Sequence, residues 1–90
     1  MEIIFSKAFK KQAKTLVQNR KNLKEKINEC IIDFSKKGRK SMFYRKKLKG
    51  SLSCFEELQI GGDLRILISI RIEHDQVVFE KIGTHSDFGW

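Results

Sequence analysis

The segment Ile82-Gly83-Thr84-His85-Ser86-Asp87-Phe88-Gly89-Trp90 sets a histidine just beyond an apolar run and follows it with aromatics. Imidazole is the side chain that exchanges a proton near neutral pH, so His85 is suited to acid–base work. The 90-residue chain carries a formal charge of +8 at pH 7, which favours a polyanionic partner. A proton-transfer group on a polycation makes RNA cleavage the first chemistry to consider. Metal-free cleavage needs three roles: the ribose 2′-hydroxyl must lose a proton, charge on the attacked phosphate must be stabilised, and the 5′-oxygen must gain a proton as it leaves.

His85 fits the acid, since its reference pKa of about 6.5 lies near working pH and a nearby phosphate favours the protonated form. Arg65 and Lys46 are candidates for charge stabilisation, by a two-pronged guanidinium grip and a point charge respectively. A solvated strand position is the plain alternative for Arg65. The base is the weakest role: Asp63 follows Gly61-Gly62, where a carboxylate either takes part in chemistry or hydrogen-bonds the turn backbone. A lysine of lowered pKa is the other option. Phe88 and Trp90 either stack on a splayed base or close the core.

The remaining histidine, His74, sits in a turn between Glu73 and Asp75 and reads as incidental. Cys30 and Cys54 form no CxxC pair, and both are expected to be buried free thiols. With so few soft ligands no metal site can be assembled, and no cofactor is expected.

The elements that must position these residues follow from hydrophobic periodicity. Glu2–Phe5 is a short strand, and Ser6 caps a basic amphipathic helix with Phe9, Ala13, Leu16 and Val17 on its apolar side. Asn19–Asn22 breaks the pattern. Leu23, Ile27, Cys30, Ile31 and Phe34 restart it until Lys36, Lys37 and Gly38 end the second helix. A basic connection follows (Arg39, Lys40, Arg45, Lys46, Lys47, Lys49), interrupted by Phe43 and Tyr44; it reads as a loop or a loop with a helical turn. Cys54–Ile60 is a strand candidate, Gly61-Gly62-Asp63 a turn, and Leu64–Ile72 the clearest alternating strand. Val77–Ile82 is the last.

The resulting fold class is α+β with the order β-α-α-β-β-β. The expected sheet is antiparallel throughout, the first strand included, with the helical hairpin covering one face. Alternation puts Gln59, Arg65, Leu67 and Arg71 on the open face, with Phe55 and Glu57. Glu56 shares parity with the core residues Leu58 and Ile60, which implies an edge or a bulge. At this length residues 1–90 form a single domain. No membrane-length apolar run or secretion signal is visible, so a cytoplasmic protein with no membrane partner is expected.

The order of elements, Leu48-Lys49-Gly50-Ser51, the turn Ile60-Gly61-Gly62-Asp63-Leu64-Arg65 and the ending Phe79-Glu80-Lys81-Ile82-Gly83-Thr84-His85-Ser86-Asp87 resemble RelE-type toxins of bacterial toxin–antitoxin pairs, nearest the YafQ branch. The resemblance spans nearly the whole chain. It implies an endoribonuclease that enters the ribosomal A site and cuts messenger RNA there, restrained by an acidic antitoxin through which alone it would meet operator DNA. It also implies general-acid work for His85, base catalysis or ordering of the site for Asp63, and a phosphate grip for Arg65. Lys46 and Gln59 stand where YafQ-like toxins carry histidines, and the family's terminal aromatic position falls on Gly89, between Phe88 and Trp90. Lysines in this region serve other RelE members, so Lys46, Lys47 and Lys49 are candidate substitutes. Gln59 and Lys81 join Lys47, Lys49, Phe88 and Trp90 as expected RNA contacts. The competing readings are a ParE-type gyrase inhibitor, which has no use for an acid–base set, and a catalytically weakened RNA- or ribosome-binding module.

Overall fold

A computed structural model of the chain describes residues 1–84 and 86–88. The elements are β1 (Glu2–Phe5), α1 (Lys7–Asn19), α2 (Leu23–Lys37), β2 (Tyr44–Lys47), β3 (Glu56–Gly61), β4 (Leu64–Arg71) and β5 (Gln76–Thr84). Short 3-10 turns occupy Gly38–Lys40, Gly50–Leu52, Ile72–His74 and Ser86–Phe88. The α+β class holds, and so does the helical hairpin on one face. Ser6 Oγ accepts the Phe9 N–H at 3.0 Å, making the expected N-cap, and Gly38 at φ +58° ends α2 in a conformation that disfavours a side chain.

Two expectations about the sheet need correction, and they share one cause. The basic connection contains a strand, β2, and the sheet runs β1-β5-β4-β3-β2. Each hairpin reverses the chain, so one additional strand inverts the direction in which β5 finally runs. β1 therefore pairs with β5 in parallel, Glu2 opposite Gln76 and Phe5 opposite Phe79, while the other pairings are antiparallel.

Against the helices lie Leu58, Ile60, Leu64, Ile66, Ile68, Val77, Phe79 and Ile82, packed on Phe9, Leu23, Ile27, Cys30 and Phe34. Phe79 is the hub of the aromatic contacts, with Phe5, Phe9 and Phe34 centroids 5.5, 5.7 and 6.1 Å away. Cys30 belongs to this core, and burial pushes its thiol up to about 12. Cys54 differs from expectation: it is free but exposed, because it precedes β3 and escapes the alternation that buries the strand. Leu67 departs too, being fully buried although it shares parity with the open face.

Glu56 occupies neither an edge nor a bulge, since β3 lies between β2 and β4. Its carboxylate is instead gripped from outside the strand. Arg39 donates to it with Nε at 2.8 Å and Nη2 at 2.9 Å, and the Tyr44 hydroxyl donates at 2.8 Å. Burial pushes the carboxyl up, but these hydrogen bonds outweigh it, and the net shift is downward. The charge thus stays on, at the end of a core-facing row.

Candidate active site

The turn between β3 and β4 gives the site its end wall. Gly62 adopts φ +53° and Gly61 φ +133°, conformations an L side chain resists, and this lets a two-residue connection reverse the chain. The Gly62 carbonyl points back over the sheet and accepts hydrogen bonds from Gln59 Nε2 and Arg65 Nη1, both at 3.0 Å. Gln59 Oε1 in turn accepts Arg45 Nε at 2.8 Å.

Strand register arranges the expected site residues in two neighbouring rows. Lys46, Glu57, Leu67 and Lys81 face one another across β2, β3, β4 and β5, and Gln59, Arg65 and Gly83 form the next row toward the turn. Rows on one face of a sheet are about 7 Å apart along the strands, with about 4.8 Å between strands. Lys46, Gln59, Arg65 and Lys81 therefore share one face, with Asp63 exposed in the turn that closes it. Lys47 does not join them: it pairs with Glu56 on the helix-facing parity and adds its charge there. Lys49 is exposed beyond the far end of β2, and Phe88 is half-buried in the turn Ser86–Phe88. His85 and Trp90 lie outside the described residues.

Arg65 is more constrained than a solvated strand residue. Its side chain is 13% exposed, and its Nε lies 3.4 Å from Glu57 Oε1, within ion-pair range but out of line for a hydrogen bond. Glu57 and Arg65 are diagonal neighbours on adjacent strands, a geometry that brings long side chains of opposite charge together. The carboxylate and the Gly62 carbonyl hold the guanidinium from two sides.

Sequence reasoning missed Arg45 and Glu57 as members of this constellation. Arg45 sits at the register shift between Tyr44 and Lys46, an irregularity that carries its side chain to Gln59. The signal for Glu57 was its parity with Arg65. Among the described residues, no three of His, Cys, Asp and Glu gather in a way that could hold a metal ion.

No protein-family model matches the sequence, and no curated protein sequence matches it either. Solved structures do. A metal-bound toxin from Helicobacter pylori superposes with a TM-score of 0.80 at 27% identity, covering 97% of each chain. The RelE/ParE toxin fold is the fold of this chain. YafQ from E. coli strain BL21(DE3) matches with a TM-score of 0.76 at 17% identity, over 99% of this chain and 98% of its own. The toxin in the heterotetrameric YoeB–YefM toxin–antitoxin complex from Staphylococcus aureus matches with a TM-score of 0.74 at 22% identity, over 94% and 97%. In this RelE/ParE-type frame, β5 runs along the basic face and leads directly into position 85.

Proposed function

We propose that this chain is the toxin of a type II toxin–antitoxin pair, a cytoplasmic endoribonuclease that cleaves messenger RNA in the ribosomal A site and so inhibits translation. The observation that supports the reading is that Lys46, Arg65 and Lys81 share one sheet face, with Arg45 bonded to Gln59 on it, and that Lys81 and Arg65 stand on β5 and its neighbour β4, the strands nearest Thr84. Cations so placed meet a phosphate, and the residue following Thr84 is the one with a suitable proton.

In the proposed step the 2′-hydroxyl oxygen attacks the adjacent phosphorus, and the P–O5′ bond breaks. The hydroxyl proton passes to a base, for which Asp63 is the candidate, and His85 returns a proton to the 5′-oxygen. Arg65 and Lys46 stabilise the phosphate charge that builds between these events. The arrangement needs no metal, because both proton transfers and the charge stabilisation are assigned to side chains. Positioning on the ribosome lessens the demand for a strong base. Phe88 and Trp90 supply aromatic surface for an unstacked base.

Cleavage of a ribosome-bound message by the purified protein tests the reading, with Arg65→Ala as its variant. Loss of a transition-state charge donor should slow cleavage by about 10²-fold. Equal rates for parent and variant would remove Arg65 from the mechanism.

The partner that restrains such a toxin should be acidic, since +8 repels a second copy and attracts the opposite sign. Its association rate should fall as salt rises from about 50 to 500 mM and the Debye length shrinks from roughly 14 to 4 Å. Stopped-flow measurement of that rate checks the expectation, and a rate indifferent to salt would assign the charge to another purpose.

A further inference from the structure

β1 covers β5 only from Gln76 to Phe79, although β5 continues to Thr84. Beyond Phe79 the edge amides of β5 need other partners, since an unpaired backbone N–H away from water is costly. Side chains provide them. Gln12 Oε1 on α1 accepts the Ile82 N–H at 2.9 Å, and two residues on, Asp87 Oδ2 accepts the Thr84 N–H at 2.8 Å. The Asp87 N–H donates in return to Thr84 Oγ1 at 3.3 Å, so the two residues clasp each other across positions 85 and 86.

Gly83 is a separate sign that the carboxylate has a required place. A Cβ built on Gly83 would lie 2.7 Å from Asp87 Oδ2, closer than real side chains approach, and 3.1 Å from Asp87 Cβ, tighter than most. Gly83 has no positive φ, so backbone conformation does not explain the glycine here. Space for Asp87 does. Gly83 also belongs to the row of Gln59 and Arg65, so the carboxylate is seated where the basic face meets the end of β5.

We propose that Asp87 is a positioning residue: its carboxylate, seated over Gly83 and bonded to the Thr84 N–H, fixes the backbone at the end of β5, and cleavage by the residue that follows Thr84 depends on that anchor. This rests on the nuclease reading for its consequence, though not for the clasp itself. The requirement is for an acceptor oxygen at that place rather than for a negative charge.

The test compares the full-length parent with Asp87→Ala, Asp87→Asn and Gly83→Ala, with His85→Ala as the control for the nuclease reading. Single-turnover cleavage and ribosome affinity are measured together with Thr84 amide exchange by NMR. Asp87→Ala and Gly83→Ala should each lose on the order of 10²-fold in cleavage rate, keep ribosome affinity within about twofold, and expose the Thr84 amide to exchange. Asp87→Asn, whose amide oxygen accepts the same N–H, should retain most of the rate and the protection. Full-rate cleavage by Asp87→Ala would overturn the proposal. So would a loss in Asp87→Asn with Thr84 still protected, since charge would then be what matters. If the parent, like His85→Ala, cleaves nothing, the nuclease reading fails instead, and the positioning is read by NMR: Asp87→Ala that leaves Thr84 exchange and the His85 resonances unchanged overturns it, whereas Asp87→Ala that shifts both supports it.

Discussion

His85→Ala should lower cleavage of ribosome-bound messages by roughly 10²–10⁴-fold, the usual contribution of a positioned general acid, while its thermal midpoint stays within a few degrees of the parent's. The size of the effect follows from the shortage of alternatives. Only one other histidine exists, and His74 is exposed in the β4–β5 turn, separated from position 85 by the full length of β5. Neither guanidinium nor ammonium gives up a proton readily at neutral pH. His74→Ala is therefore the matched control and should cleave at the parental rate. The two variants can be compared in one reconstituted translation assay, and an alanine at position 85 that leaves cleavage unaffected would remove the acid from the mechanism.

Arg39→Ala should destabilise the fold substantially although it lies outside both the hydrophobic core and the candidate active site. It strips Glu56 of its bidentate partner and leaves a buried carboxylate held by the Tyr44 hydroxyl. Breaking a fully buried pair costs about 3–5 kcal/mol; with the Arg39 side chain 45% exposed, a loss of about 2–3 kcal/mol is expected at neutral pH. The pH dependence has a definite sign. Glu56 titrates below the ordinary glutamate value in the folded protein, so the parent's ion pair stabilises fully above about pH 4.3 and loses its contribution as pH falls through the lowered value. The difference between parent and variant should narrow in acid. Urea unfolding at neutral and acidic pH measures it, and a gap that widens on acidification would mean that Glu56 is not held charged by Arg39.

What the sequence could convey depended on whether a residue's fate was local. Periodicity located both helices and the alternating β4 because burial of one face repeats along the element itself. It failed at β2, whose residues Tyr44-Arg45-Lys46-Lys47 show no alternation; charged residues suit an exposed edge, and pairing with β3 is what makes the segment a strand. Leaving this strand out reverses the direction of every later strand, which is why β1 is expected to lie antiparallel. Glu56 was opaque for a related reason: its partner Arg39 is 17 residues distant, in a turn that no hydrophobic pattern marks.

The candidate site divides in the same way. Arg65 and Gln59 lie on the face that alternation assigned, because strand parity survives any rearrangement of the sheet that keeps its register, and Lys81 joins them through its pairing with Leu67. Lys46 and Lys47 are adjacent in sequence, so only the knowledge that they lie on a strand could send them to opposite faces. Asp87 belongs to the terminal motif, yet its hydrogen bond to Thr84 and its seat over Gly83 depend on the end of β5 being in place.

The nuclease reading is tested most directly by mapping RNA ends in a reconstituted translation reaction with purified ribosomes, a defined message and the purified chain. Attack by the 2′-hydroxyl predicts new ends within the codon occupying the A site, with a 5′-hydroxyl on the downstream fragment and a cyclic or opened phosphate on the upstream one, and His85→Ala should abolish them. Intact messages alongside gyrase-linked DNA breaks would place the chain with ParE-type inhibitors. Intact messages without DNA breaks, in the presence of ribosome binding, would contradict the nuclease account and leave a binding module.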